Sequence, residues 1–177
     1  SHTLLSTSTI SSGTASVTFN NSIITSTYRD YLVTCSDLTT SGTSVLPVMT
    51  ISDDNGSSFK SVNYRYGVYG FESAGGNISH YSGNSDGFFK IGLNTDSSTE
   101  EGHSFRLYIN NPLSTSTNFS YFGHGHTVSA GSNDRSTSYH TSGYFNGSGT
   151  PAFNCIKFSN NGGQNFDTAV FKIYGIT

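Results

Sequence analysis

Apolar and polar positions alternate with period two in short runs along the whole chain, and no segment of useful length repeats at i, i+3, i+4 and i+7. The runs are "TLLSTSTI", "TASVTFN", "DYLVTCSDL", "VLPVMTIS", "FKSVNYRYGVYGF", "GFFKIGL", "HSFRLYIN", "TNFSYFGHGHTVS", "STSYHTSGYF", "FNCIKFS" and "TAVFKIYGI". Each predicts a strand, because side chains at i and i+2 share a face of a pleated backbone. Gly, Asn, Asp and Ser fill the gaps between runs, as tight reversals require. Many short strands with no intervening helix predict an all-β fold, an antiparallel two-sheet jelly-roll sandwich. One such domain over residues 1–177 is expected.

Composition changes this picture in one way. Only 11% of residues are charged, and Ser, Thr, Asn and Gly are abundant, a bias that would suggest disorder in a chain poor in aromatics. With 13 Phe and 11 Tyr, the chain instead has what a half-buried sheet surface needs. The formal charge is −3 and the 8 Lys and Arg are scattered, so the basic footprint of a nucleic-acid binder is missing. No apolar run reaches the ~20 residues of a membrane span, and the opening residues do not read as a signal peptide. Ser1 and His2 are compatible with a fusion remnant, which would make this an excised domain.

Two turns share the pattern Ser-x-Asp/Asn-x-Gly-x-x-Phe: "SDDNGSSF" at 52–59 and "SNNGGQNF" at 159–166. The first resembles the Asp-box hairpin of sialidases, but a propeller repeats every 40–50 residues or so, and these copies lie much further apart. Both are therefore expected to be hairpins staked to the core by their Phe. Cys35 shares a face with Tyr31 and Val33, which predicts a buried thiol rather than half of a disulfide with Cys155.

The order "LLSTSTISSGTASVTF", "YRDYLVTCSDL", "SDDNGSSF", "FRLYINNPLSTS" and "FNCIKFSNNGGQNFDTAVFKIYGIT" resembles the jelly-roll domains at the C-terminal ends of tailed-bacteriophage fibres and other virion structural proteins. The closing phrase is the most specific, through Ile156, Phe158, Gly162, Phe171, Ile173, Tyr174, Gly175 and Ile176. These residues carry fold and not chemistry, and the lack of Trp departs from the family's habit. The resemblance implies a virion protein on an external appendage of the particle, the distal receptor-binding domain of a tail fibre that attaches to a bacterial surface glycan or protein. It also implies a homotrimer in contact with other virion proteins. A head fibre or capsid decoration domain, and a free lectin-like module, are the alternatives.

No GxSxG, HExxH, P-loop or GxGxxG is present, and the acids fall mostly in turn-like places, such as Asp53 and Asp54, Asp96 with Glu100 and Glu101, and Asp134. No enzyme and no cofactor are expected. Ligand contacts are expected from two stretches. In "YRYGVYGFESAGGNISHYSGNSDG" (64–87), Tyr66, Tyr69, Glu72, His80 and Tyr81 surround a glycine-rich insertion that reads as a long loop. In "DRSTSYH" (134–140), Arg135, Tyr139 and His140 form a second candidate. Aromatic rings suit the apolar faces of sugars, and the polar groups suit hydroxyls. The competing reading sends Tyr64, Tyr66 and Val68 into the core by alternation.

His124 and His126 in "FGHGHT" fall on one strand face. Two imidazoles are too few for a zinc site, although three copies on a threefold axis would supply an octahedral one. A polar, exposed face is the expectation for this pair, with no metal.

Overall fold

The computed structural model describes residues 1–42, 45–73, 77–93, 102–129 and 135–177, the side chains of Ser129 and Arg135 excepted. In chain order the strands are β1 (His2–Ile10), β2 (Ser16–Phe19), β3 (Asp30–Thr40), β4 (Pro47–Ser52), β5 (Tyr64–Glu72), β6 (Ile78–Asp86), β7 (Phe89–Lys90), β8 (Gly102–Asn110), β9 (Ser120–Ser129), β10 (Arg135–Phe145), β11 (Cys155–Asn160) and β12 (Phe166–Ile176). They form two antiparallel sheets, a large one of eight strands in the order β1-β12-β3-β8-β9-β10-β5-β6 and a small one of four in the order β2-β11-β4-β7.

The first four strands of the large sheet and the whole small sheet give a jelly roll, because successive strands β1 to β4 change sheet at each step and β11 and β12 insert between them. Two hairpins, β5–β6 and β9–β10, are additions to that frame. Both join the same side of the large sheet and double its width. The outcome is a sandwich with one face much broader than the other.

Alternation accounts for the core. Tyr31, Val33 and Cys35 of β3, Phe105, Leu107 and Ile109 of β8, and Phe171 and Ile173 of β12 point inward from the large sheet. Met49, Ile51, Ile156 and Phe158 meet them from the small sheet. Phe158 lies within 5.4 Å of Phe171 and 6.2 Å of Phe105, ring centre to ring centre, so aromatic edges and faces knit the two layers. Cys35 and Cys155 are both buried and free, as the alternation around Cys35 predicts.

Two expectations about local structure change. The Ser-x-Asp/Asn-x-Gly-x-x-Phe turns are not hairpins between neighbouring strands, since each carries the chain out of the small sheet toward the large one, from β4 to β5 and from β11 to β12. Their polar residues still close the reversal: the Ser52 hydroxyl donates to Asp54 at 2.6 Å and accepts from the Gly56 N–H at 2.9 Å. Gly56 has φ 87°, a left-handed conformation that a side chain resists. Phe166 is fully buried as expected, whereas Phe59 is half-buried beneath the Lys157 ammonium, 3.9 Å from the ring centre.

The second change concerns residues 78–86. Read as loop, they form β6, an edge strand paired with β5 from Tyr64↔Asp86 to Phe71↔Ile78. The segment is rich in Ser, Gly and Asn because an edge strand with little to bury needs few apolar side chains. Residues 135–140, by contrast, open β10, as the alternation of "STSYHTSGYF" predicts.

Candidate functional site

The outward face of the large sheet brings the sequence candidates together. Register places one side chain from each successive strand in a row: Lys172 beside Thr34, Thr34 beside Arg106, Arg106 beside His124, His124 beside His140, His140 beside Tyr69, and Tyr69 beside His80. With strands about 4.8 Å apart, Lys172 and His80 stand roughly 29 Å from each other at the ends of this row.

Parallel to it runs a second row, with Tyr174, Leu32, Tyr108, Phe122 and Ser142 in register. Here Tyr108 and Phe122 stack, centres 5.0 Å apart and planes 13° from parallel. Tyr69 and His140 stack in the polar row at 5.5 Å and 24°. On the other side, His126 lies between Ser104 and Ser138, and its Nε2 is 2.6 Å from the Ser136 Oγ.

This face is open. Tyr69 is 50% exposed, Phe122 51%, Phe71 59% and Ile78 61%, fractions that large apolar side chains reach when nothing packs on them. Two of the hollows on it share His140. One, of about 610 Å³, is lined by Arg106, His124, His126, His140, Lys172 and Tyr174 among others, and no Asp or Glu lines it among the described residues. The other, of about 470 Å³, is lined by Tyr69, His80, Phe122 and His140 among others. A separate hollow of about 680 Å³ at one end of the sandwich is bordered by Asp53 and Lys60, which already pair with each other at 2.8 Å.

Of the candidates read from sequence, Tyr69, His80 and His140 converge on this face. Tyr66 and Tyr139 do not. Both are core residues, which corrects their reading as ligand contacts, and strand phase is the reason: they share the inward parity of Tyr64 and Val68, and of Thr137 and Thr141. The Tyr66 hydroxyl donates to Asp86 at 2.5 Å, while Tyr139 packs its ring against His103. Burial pushes both phenols above their ordinary range.

Tyr81 also turns inward, half-buried, with the Lys90 ammonium 4.8 Å from its ring centre. Glu72 accepts a hydrogen bond from the Ser79 hydroxyl at the end of β5. The Arg135 side chain, and Asp96, Glu100, Glu101 and Asp134, lie outside the described residues.

His124 and His126 do share the outward face, and both are exposed. Among the described residues, no three His, Cys, Asp or Glu side chains come together to hold a metal ion. The ring centres of His124 and His140 are 6.5 Å apart, with planes 51° from parallel. Sequence reading missed Arg106, Lys172, Phe122 and Tyr174 as members of this face. Arg106 is signalled by alternation within "HSFRLYIN", but its neighbours depend on strand order, which no local pattern encodes.

The fold class is thus a jelly-roll sandwich widened by two hairpins, presenting an uncovered aromatic and cationic face. No protein-family model, curated protein or solved structure matches the chain.

Proposed function

We propose that this chain is a non-enzymatic recognition domain of a tailed-bacteriophage virion, the distal part of a tail fibre or similar external appendage. Its broad open face holds a glycan of the bacterial surface. The observation that supports this most is the pairing of two rows on that face: the stacked rings of Tyr108 and Phe122 lie alongside a row that carries Arg106, His124, His140, Tyr69 and His80. A sugar ring has apolar C–H faces and a hydroxyl rim, so a surface offering flat rings beside donors and acceptors matches both. Such a platform on rigid strands also needs no ordering of loops before binding.

Assembly is proposed to be a homotrimer. The corner formed by Phe71 and Ile78, which are paired across β5 and β6, is apolar and exposed at the edge of the sheet, where a neighbouring subunit would cover it. The same corner suits docking on another virion protein, which is the reading a head fibre or decoration domain would require. Light scattering at tens of micromolar separates these readings, since a mass near the 18.9 kDa of one chain contradicts the trimer.

Labelled domain applied to a panel of bacterial cells tests the recognition reading. Wild type should adsorb to some strains, and Tyr69→Ala combined with Phe122→Ala should abolish adsorption while leaving the melting temperature almost unchanged. Adsorption to no strain, or equal adsorption by the double variant, refutes it.

A further inference from the structure

We infer that the hollow between Lys172 and His140 selects an anionic glycan, one carrying carboxylate or phosphate groups, over a neutral one. This rests on the reading of the open face as a glycan surface and names the chemical class of its ligand.

The first observation is the lining. Arg106 and Lys172 contribute to this hollow together with His124, His126 and His140, the hydroxyls of Thr34, Ser36, Ser104 and Ser138 add donors, and no carboxylate lines it among the described residues. In a chain whose formal charge is −3, a groove lined by two cations and, among the described residues, by no acid is a local reversal of sign. Such a reversal steers and holds anions.

The second observation is independent of the hollow and concerns where cations are already used. Lys60 pairs with Asp53, Arg65 donates to the Tyr144 hydroxyl, Lys90 sits over Tyr81, and Lys157 sits over Phe59. The side chains of Arg106 and Lys172 have no ion pair, hydrogen bond or ring partner among the described residues, and both lie in the same groove. Arg29 is the remaining uncommitted cation whose side chain is described, and it is not among the groove's lining residues. Cations that stabilise the fold have partners here, and the two that line the groove are left for something that is not part of the chain.

The third observation is spacing. Arg106 and Lys172 are two strands apart in one row, roughly 10 Å, with Thr34 between them. Each can therefore meet a different charged substituent along a polymer, and Tyr174 of the adjoining row lines the same hollow and offers a ring to the sugar. A guanidinium binds carboxylate or phosphate through two parallel N–H donors, and an ammonium binds either as a point charge, so the groove accepts both anion types.

The test uses the whole domain and three defined polymers: oligogalacturonate as the carboxylate probe, poly(glycerol phosphate) as the phosphate probe, and neutral dextran. Binding is measured by calorimetry or biolayer interferometry at low and high NaCl. At least one anionic polymer should bind about tenfold or more tightly than dextran, with affinity falling as salt rises, and the preferred probe identifies the anion. Arg106→Gln with Lys172→Gln should remove that preference. Lys60→Gln with Lys157→Gln, which makes the same change in net charge elsewhere, should leave binding within about twofold.

Equal binding of dextran and both anionic polymers, no binding of either anionic polymer, or an unchanged preference in the Arg106/Lys172 variant overturns the inference. Cell adsorption by wild type distinguishes the two levels. If adsorption persists in the Arg106/Lys172 variant, anion selection fails and the recognition reading stands. If wild type adsorbs to no cell, both fail.

Discussion

Mild acid should destabilise this domain through one histidine. His103 lies on the inward face of β8, in register with Leu38 on one side and Thr127 on the other, with the Tyr139 ring edge-on at 6.3 Å. It is fully buried, and neither ring nitrogen meets hydrogen-bond geometry. Loss of solvation pushes its pKa down to about 3; the Leu93 backbone offsets only part of that, and the charge on His126 adds to the depression.

Above the ordinary value of 6.5, neither the folded nor the unfolded chain holds this proton, and the contribution to stability is complete. As pH falls below that value only the unfolded chain takes it up, so stability declines until the folded pKa is reached. The slope approaches about 1.4 kcal/mol per pH unit below 6.5, so by pH 4.5 roughly 2–3 kcal/mol is lost relative to neutral pH. For a domain of this size that is roughly 4–12 °C in melting temperature.

Asp54 acts in a lower window. The hydroxyls of Ser52 and Ser58 hold its carboxyl well below the usual 3.8, so its contribution is lost only as pH drops beneath that value. Urea unfolding of wild type and His103→Leu at pH 7.5, 5.5 and 4.5 isolates the histidine, because differences in baseline stability cancel when slopes are compared. The wild-type curve should fall more steeply than that of the variant. Parallel curves across this range would refute the assignment of His103 as a buried neutral imidazole.

Three further outcomes are expected. Ser52→Ala removes the buried hydroxyl that accepts from the Gly56 and Asp54 N–H groups, and should cost about 1 kcal/mol in urea unfolding with little change in m-value. Gly123→Ala puts a methyl 2.1 Å from the Arg106 carbonyl oxygen, so β8 and β9 must separate, and a drop of at least about 2 kcal/mol is expected by the same measurement. Cys35 and Cys155, buried and with thiols pushed up by burial, should resist iodoacetamide in the native state and react only on unfolding, as mass spectrometry would show.

The inward half of the fold was legible in the sequence because burial imposes alternation. Tyr31, Val33 and Cys35 are read correctly from period two, and so is the alternative that buries Tyr64, Tyr66 and Val68. The same rule, applied with the right phase, separates Tyr69 and His140 from Tyr66 and Tyr139. Composition alone favoured all four, which is why two core tyrosines were expected at the surface.

β6 was hidden for a related reason. An edge strand is held by backbone pairing with β5, and backbone hydrogen bonds leave no signature in residue type. The Ser-x-Asp/Asn-x-Gly-x-x-Phe turns show what a local motif does encode: the reversal of the chain is in the Ser52–Asp54–Gly56 bonds, but whether the next strand stays in the sheet is decided by packing beyond the motif. The row from Lys172 to His80 joins residues from β12, β3, β8, β9, β10, β5 and β6. Its members were visible singly, and only the strand order makes them one surface.

The central claim is that the open face of the large sheet is where a bacterial glycan is held. Chemical-shift mapping of the labelled domain during titration with the anionic polymer tests it most directly, since every strand reports for itself. Perturbations are predicted to cluster at Arg106, Phe122, His124, His140 and Tyr69, with little change at Lys157 on the small sheet or in the 52–59 turn. Shifts confined to the small sheet or to the end of the sandwich near Asp53 and Phe145, with the Arg106-to-Tyr69 row unmoved, would contradict it.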